Sequence, residues 1–207
     1  MLRKEFDGAQ DYDFILRCCG QTEHIAHVPK VLYHWRAHDN STAGNPESKQ
    51  YAVDAGKRAL EEHYRRMGYE AVVENTGIFI VYRTIMKVQG NPKVSVIILN
   101  KDHREDLEKC VVSIEEKTDY PNYEIIVVEN NSELPETFAF YEELQRRYSN
   151  VKVVTWDGPF NYSAINNYGA EYATGDYYLM LNNDIEVISP GWMSEMLGYC
   201  QREDVGI

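Results

Sequence analysis

The chain has 207 residues, 43% of them hydrophobic and 26% charged, a balance that supports one or two packed domains and excludes a disordered polymer. Its 33 acidic against 21 basic residues leave a formal net charge of −12, so nucleic acid and an anionic membrane surface are both repelled and neither is an expected partner. The longest apolar runs, residues 94–99 and 78–82, fall far short of the ~20 residues of a spanning helix. Cys18, Cys19, Cys110 and Cys200 show no Cys-x-x-Cys spacing. Residues 1–5 lead into polar sequence rather than an apolar leader, and the expectation is a cytoplasmic protein with reduced thiols. On that expectation the Asn-x-Ser/Thr triplets at Asn40, Asn130 and Asn161 are chance.

In chain order, a helix is expected over 11–19, then a short extended pair at 24–28 and 31–35 split by Pro29. A longer helix should start at Asn45-Pro46-Glu47, a cap followed by proline, and stop at Met67-Gly68. Extended runs at 70–73 and 78–88 flank Gly77 as a hairpin would and lead to a linker at 89–92. The pattern then changes to short β-branched runs alternating with helical stretches, the signature of βαβ units on a parallel sheet. Strands are expected at 94–99, 124–128, 151–155 and 177–181. Leu107, Cys110, Val111 and Ile114 mark the inner face of the first intervening helix, and Phe138, Tyr141, Leu144 and Tyr148 that of the second. Pro135 and Pro190 suit first helical positions, Ser189 suits an N-cap, and Gly175 suits the end of a helix over 165–173. The fold class is therefore α/β, a mostly parallel Rossmann-like sheet over 91–207, preceded by an α+β segment over 1–90.

Three expected strands end in polar residues. The first runs into Asn100 and Asp102, the second into Glu129 and Asn130, and the fourth, an apolar run read as a buried strand, into Asn182, Asn183 and Asp184. Ligands bind open α/β sheets at the carboxyl ends of strands. Amides and carboxylates there can read a base or ribose, and Asp184 can hold a hard cation against a diphosphate. Asn166 and Asn167 inside a helix, followed by Gly169, suggest a face that meets a ligand or another backbone. The ordinary alternative for each residue alone is a strand-end or helix cap. No Gly-x-Gly-x-x-Gly follows the first strand, which disfavours a dinucleotide oxidoreductase.

The series Val94-Ser95-Val96-Ile97-Ile98, Glu129-Asn130-Asn131-Ser132, Asn166-Asn167-x-Gly169 and Leu181-Asn182-Asn183-Asp184 resembles the nucleotide-sugar-binding half of inverting family-two glycosyltransferases, which have the GT-A fold. The resemblance covers Pro92 to the last residue. It implies a nucleotide-sugar donor, Mg²⁺ or Mn²⁺ held by Asp184, and a nucleotide site that includes Glu129, Asn130, Asn166 and Asn182, to which the strand-end reading adds Asn100 and Asp102. Asn182 stands where the family's Asp-x-Asp motif has its first carboxylate, and Asn130 where it has an aspartate, so fewer anionic oxygens face the ion.

The first half resembles the same family from its acceptor side. Phe6-Asp7-Gly8-Ala9-Gln10-Asp11-Tyr12-Asp13-Phe14 looks like the segment carrying the catalytic base, with Asp11 the first choice and Asp13 the second. Residues 33–41, with Arg36 and His38, look like the segment that turns back toward the diphosphate, and His38 is a candidate metal or phosphate contact. Asp11 would take the proton of the acceptor hydroxyl as it attacks the anomeric carbon, and one displacement inverts that centre. Asp11 equally suits an N-cap; His34, Tyr33 and Trp35 are as consistent with structural roles. The acceptor-side motif precedes the donor-side motif, opposite to the family's order. Two explanations stand: the end of one domain and the start of the next in a tandem protein, or a permuted composite domain.

The implied activity is transfer of a sugar from a nucleotide diphosphate to a carbohydrate or glycolipid acceptor, in surface-polysaccharide assembly. Peripheral membrane association of the parent protein is compatible with this. The alternative is a nucleotide-sugar-binding or structural module without turnover.

Overall fold

The computed structural model describes residues 1–34 and 50–205, and the chain divides into two compact units, Met1–Lys87 and Val88–Ile207. Trp35, Arg36, His38 and the expected helix start at Asn45-Pro46 lie outside the described residues.

In the first unit a 3₁₀ turn, Lys4–Phe6, leads into α1 (Gln10–Cys19), and later into α2 (Gln50–Arg66) and the antiparallel hairpin β1 (Ala71–Asn75) and β2 (Tyr82–Met86). Helix α2 buries Ala52, Val53, Ala55, Ala59 and Leu60, a stripe of mostly small residues, and Phe6, Val73 and Met86 are buried in the same unit. Most of its charged residues face solvent, while Glu62 pairs with Arg3 (2.9 Å) and Arg58 donates to Glu5 O (2.9 Å). Gly68, at φ +81°, ends the helix in the left-handed conformation that glycine adopts without strain. The expected extended pair at 24–28 and 31–35 does not form strands over the residues described up to 34. Pro29 removes one ladder donor, and Val31 and Leu32 are 82% and 73% exposed, so no apolar face is buried to offset ordering.

The second unit holds β3 (Val94–Asn100), α3 (Arg104–Lys117), β4 (Tyr123–Glu129), α4 (Pro135–Arg147), β5 (Val151–Thr155), α5 (Tyr162–Ala170), β6 (Tyr177–Leu181) and α6 (Trp192–Cys200). All four strands are parallel, in the order β5-β4-β3-β6. Successive right-handed crossovers in one direction put α3 and α4 on one face; the reversed step from β5 back to β6 puts α5 on the other. The burial pattern agrees. Val94, Val96 and Ile98 pack with Leu107, Val111, Ile114, Phe140, Leu144, Met193 and Leu197, while Ile97, Ile126, Val128 and Val154 pack with Ile165. The strand order reverses between β3 and β6, the position at which open α/β sheets bind ligands.

Several details depart from the sequence expectation. Strand β6 is a half-exposed edge rather than a buried strand: Tyr178 and Met180 are 54% and 49% exposed, because they point to the α5 face, where no helix among the described residues covers them. Phe138 is exposed and Phe140 takes its place in the core. Helix α6 begins at Trp192 after Gly191, not at Pro190, because residues 185–191 are held against α3: Val187 N–H donates to Ser113 Oγ (2.9 Å) and Lys117 Nζ donates to Val187 O (2.7 Å). Gly175 does not end a helix. A Cβ there would lie 2.6 Å from Ser95 Oγ and 2.7 Å from Lys93 O, so it permits close approach of the β6 entry to β3. Gly169 does the same for α5, since a Cβ would meet Ile97 Cγ2 and Val128 Cγ2 at 2.8 Å.

At the amino ends of the strands, Glu124 accepts from Lys93 Nζ (2.7 Å), Ser95 Oγ (2.6 Å) and Thr174 N–H (2.6 Å). Burial raises the Glu124 carboxyl, but these bonds outweigh it and hold it at about 2.

Two predictions follow from this packing. Gly169→Ala forces α5 away from two β-branched side chains and should cost ~1–3 kcal/mol, read as a lowered Tm in calorimetry with the circular-dichroism spectrum retained. Glu124 has a folded value below the ~4.3 of an unfolded glutamate, so its contribution is complete above that value and is lost as pH falls toward 2. Denaturant titrations from pH 6 to 2 should show an acid-labile component of at most ~3 kcal/mol that Glu124→Gln abolishes; an identical pH profile in the variant contradicts the assignment.

Candidate functional site

The carboxyl ends of β3, β4 and β6 meet through one chain of side-chain hydrogen bonds. Asn183, in the turn after β6, donates from Nδ2 to Asn100 Oδ1 at the end of β3 (2.8 Å). Asn100 Nδ2 donates to the Tyr141 hydroxyl (2.8 Å), and that hydroxyl donates to Glu129 Oε2 at the end of β4 (2.8 Å). Glu129 also accepts from the backbone N–H and the hydroxyl of Ser132, each at 2.5 Å. Asn100 and Glu129 are 3% and 2% exposed and Tyr141 is 4% exposed. Three donors satisfy the carboxylate, so burying it costs little. Burial, reinforced by Glu129, pushes the Tyr141 phenol well above its ordinary value despite opposing bonds with Ser132 and Asn100, and it stays a donor.

The loop that follows β4 is built around these bonds. Asn130 is buried, its N–H bonded to Asn100 O (2.9 Å). Asn131 sits at φ +57°, a conformation Asn tolerates better than most residues, and donates from Nδ2 to Gly158 O (2.8 Å). This ties the loop after β5 to the same edge. Asp102, at φ +60°, accepts from the N–H groups of Glu133 (2.8 Å) and Leu134 (2.9 Å). Its carboxylate therefore organises the entry to α4. Those backbone bonds, Leu134 first, hold its carboxyl below the usual range.

Asn166, 3% exposed, donates from Nδ2 to Tyr162 O (2.9 Å), a bond inside its own helix. Asn161 is the N-cap of α5, accepting from Ala164 N–H (3.0 Å). The glycine after the asparagine pair meets β3 and β4 side chains, as already described.

Asn182 and Asp184 are exposed on the turn after β6. The Asp184 carboxylate carries no hydrogen bond or ion pair from the described residues; burial raises the Cys110 thiol to about 11 against a backbone bond with Ile185, and the Asp184 charge adds to the rise. Cys110 Sγ in turn donates to Asn182 O (3.7 Å), supporting the turn from below. Among the described residues no three His, Cys, Asp or Glu side chains cluster as a metal site. One free carboxylate beside an amide is still a donor set that suits a hard divalent cation, because Mg²⁺-type ions are commonly held by one or two carboxylates with substrate phosphates completing the shell.

In the first unit the two acidic candidates differ sharply. Asp13 is 1% exposed and clamped by Arg3 and by Arg17, whose Nε and guanidinium nitrogen each lie 3.1 Å from Oδ2. The Arg3 bond, with help from Arg17, holds its carboxyl below the usual range against the effect of burial. Arg3 also reaches Glu62 (2.9 Å), joining the chain start to α1 and α2. Asp11 is exposed in the first turn of α1, with Oδ1 accepting only from Tyr12 N–H (2.9 Å); the N-cap position is Ala9. His38 lies outside the described residues. The sequence reading passed over Tyr141 as a site residue because its helical spacing marks it as core, and Asn183 because it is flanked by two stronger candidates.

With this geometry in place, comparison with known proteins gives a family. Residues 95–207 match the model of glycosyl transferase family 2. The chain is 42% identical over 207 residues to the O-antigen biosynthesis protein RfbC of Myxococcus xanthus, a match covering 99% of this chain and 16% of that protein. It is also 42% identical over 207 residues to the uncharacterized protein y4gI of Sinorhizobium fredii (strain NBRC 101917 / NGR234), covering 99% of this chain and 23% of that protein. The chain thus spans less than a quarter of the length of these curated relatives. Among solved structures, mannosyltransferase PcManGT from Pyrobaculum calidifontis, in complex with GDP-Man and Mn²⁺, aligns at a TM-score of 0.52 with 15% identity, covering 77% of this chain and 44% of that one. That likeness speaks to the fold alone, a GT-A, Rossmann-like arrangement. The matched family model covers more than half of the residues, and the chain belongs to glycosyl transferase family 2.

Proposed function

We propose that residues 88–207 form the donor-binding half of a glycosyltransferase that moves a sugar from a nucleoside diphosphate to a carbohydrate acceptor, with inversion at the anomeric carbon, in the assembly of a surface polysaccharide. The observation that carries this is the bonded chain from Asn183 to Ser132, which gathers three strand ends at the sheet's switch point with the Asp184 carboxylate exposed beside it. Asn130 would offer its amide nitrogen and Asn131 its amide oxygen to the nucleoside, the Asn131 nitrogen being held by Gly158 O and Asn130 Oδ1, while Glu129 and Asp102 act by holding that loop in place. Asn100 would serve mainly as the link between β3 and β6, and Asn166 as a brace within α5. Asp184 with Asn182 would hold Mg²⁺ or Mn²⁺, which when bound neutralises the diphosphate and stabilises its departure. A cation is needed on charge grounds, since a diphosphate approaching a chain of net charge −12 meets repulsion.

In the first unit, Asp11 is the candidate base, because its carboxylate is exposed while that of Asp13 is saturated by two guanidinium groups. The order of the units supports the end of one transferase domain followed by the start of another, with Asp11 serving the first and Asp184 the second. A permuted composite domain is the competing arrangement. The O-antigen biosynthesis name carried by the relative supports a carbohydrate or glycolipid acceptor, and a cytoplasmic location is part of the same proposal. No helix among the described residues is long and apolar enough to cross a membrane. The single carboxylate on the turn favours one further reading, a module that binds the donor without turnover.

Calorimetric titration of UDP, GDP and dTDP into the 207-residue chain should show Mn²⁺-dependent binding of one of them, weakened tenfold or more (~1.4 kcal/mol) by Asp184→Ala. Equal affinity in wild type and variant, with and without Mn²⁺, refutes the site. Hydrolysis of the matching nucleotide-sugar separates a transferase from a binding module. Asp11→Asn discriminates the two arrangements: in the tandem one, it leaves this chain's donor binding and donor hydrolysis unchanged, whereas a loss of hydrolysis with binding retained favours the composite domain.

A further inference from the structure

We propose that the Tyr141 hydroxyl is a positioning group that couples the two ends of the donor site, so that a cation and diphosphate at residues 182–184 raise the affinity of loop 130–132 for the nucleoside. The proposal rests on the donor-site reading above and assigns a role to a residue of α4 that touches no ligand.

Its basis is the connectivity of the buried bonds. A phenol has one proton to donate and lone pairs to accept with. Here the proton goes to Glu129 Oε2 and a lone pair takes the Asn100 amide, both at 2.8 Å. Asn100 uses its other amide atom to accept from Asn183 (2.8 Å), one residue before Asp184. Glu129 uses its remaining capacity to fix Ser132 through backbone and hydroxyl. The Ser132 hydroxyl also accepts from Asp102 N–H (3.0 Å), which extends the order to the loop between β3 and α3. Tyr141 is therefore the junction of the side-chain path between the turn after β6 and the loop after β4, which runs beside the backbone bond from Asn130 N–H to Asn100 O (2.9 Å).

Each donor in the path has an acceptor, Glu129 Oε2 taking both the Tyr141 and Ser132 hydroxyls, and the middle members are at most 4% exposed, so water has little access to replace a broken link. In a low-dielectric setting such chains polarise along their length and have few alternative arrangements. A displacement of Asn183 when the neighbouring carboxylate is engaged is transmitted to Asn100, then to the phenol, then to Glu129 and Ser132. Two sites joined by such an element show coupling that is reciprocal in binding free energy.

The test measures, in the 207-residue chain, the ratio of nucleoside-diphosphate dissociation constants without and with Mn²⁺, using UDP, GDP and dTDP. Tyr141→Phe keeps the ring and deletes the junction, and the ratio should fall by about fivefold or more, the lower range of ordinary coupling. Asn183→Ala breaks the chain at a half-buried turn residue with little risk to folding and should produce the same fall; it carries the test alone if the Tyr141 variant does not fold. The double variant should be no worse than the poorer single variant, because both break one path. Leu144→Ala, in the same helix and 2% exposed, should lower the Tm while keeping the ratio. A ratio retained by Tyr141→Phe or by Asn183→Ala, additive losses in the double variant, or an equal loss in Leu144→Ala overturns the coupling. A wild-type ratio of one overturns the donor-site reading and the coupling with it, whereas a wild-type ratio above one that the variants keep overturns the coupling alone.

Discussion

A single buried charge organises the carboxyl edge of the sheet. Glu129 ends β4 at 2% exposure, and an ionised carboxylate at such a place is unfavourable by several kcal/mol unless its oxygens are satisfied. The donors come from the loop just after the strand, Ser132, and from the second turn of α4, Tyr141. That requirement fixes how the chain leaves β4, which puts Asn131 into a left-handed conformation and sets the register of α4 against the sheet. Because Tyr141 then needs an amide donor, Asn100 of β3 is oriented as well, and with it Asn183 beyond β6. The rigid edge follows from the need to keep one carboxylate dry and bonded.

The same economy explains which polar residues remain available. Of the candidates at the strand ends, Glu129, Asn100 and Asp102 spend their side chains on the protein, whereas Asp184, on an exposed turn, keeps its carboxylate without a hydrogen bond from the described residues. A polar group left unsatisfied beside a saturated network is free to meet a ligand, and a carboxylate in an acidic protein meets a cation most readily. In the first unit the pair Asp11 and Asp13 shows the same division: one exposed, one locked between two arginines as the anchor that joins α1, α2 and the chain start.

Much of the architecture was legible in the sequence because β-branched runs and 3.6-residue spacing are local signals. The four strands and the buried face of α3 come from residues such as Val94 to Leu99 and Leu107 to Ile114, whose burial needs no knowledge of partners. What was not legible depended on contacts between distant segments. Gly175 carries a helix-ending residue type, but its place is set by Ser95 and Lys93 some eighty residues away in sequence, and the late start of α6 is set by the bonds Val187 makes to Ser113 and accepts from Lys117. Strand β6 has the composition of a buried strand, yet burial depends on what covers Tyr178 and Met180. For the site, the strand-end positions were readable, but the division between residues that hold the loops and residues left to face a ligand was not. Asp11 and Asp13 differ only in which one Arg3 and Arg17 reach, and Tyr141 reads as one more core aromatic until its hydroxyl is followed.

The central claim is that a divalent cation and a nucleoside diphosphate meet at the switch point between β3 and β6. Paramagnetic broadening of backbone amide NMR signals by substoichiometric Mn²⁺, recorded with and without the nucleoside diphosphate that binds, tests this directly. The account predicts nucleotide-dependent broadening centred on residues 182–185 and extending to Asn100 and residues 130–132. Broadening confined to the opposite end of the sheet, around Lys93, Glu124 and Asp176, or unchanged by nucleotide, would contradict it.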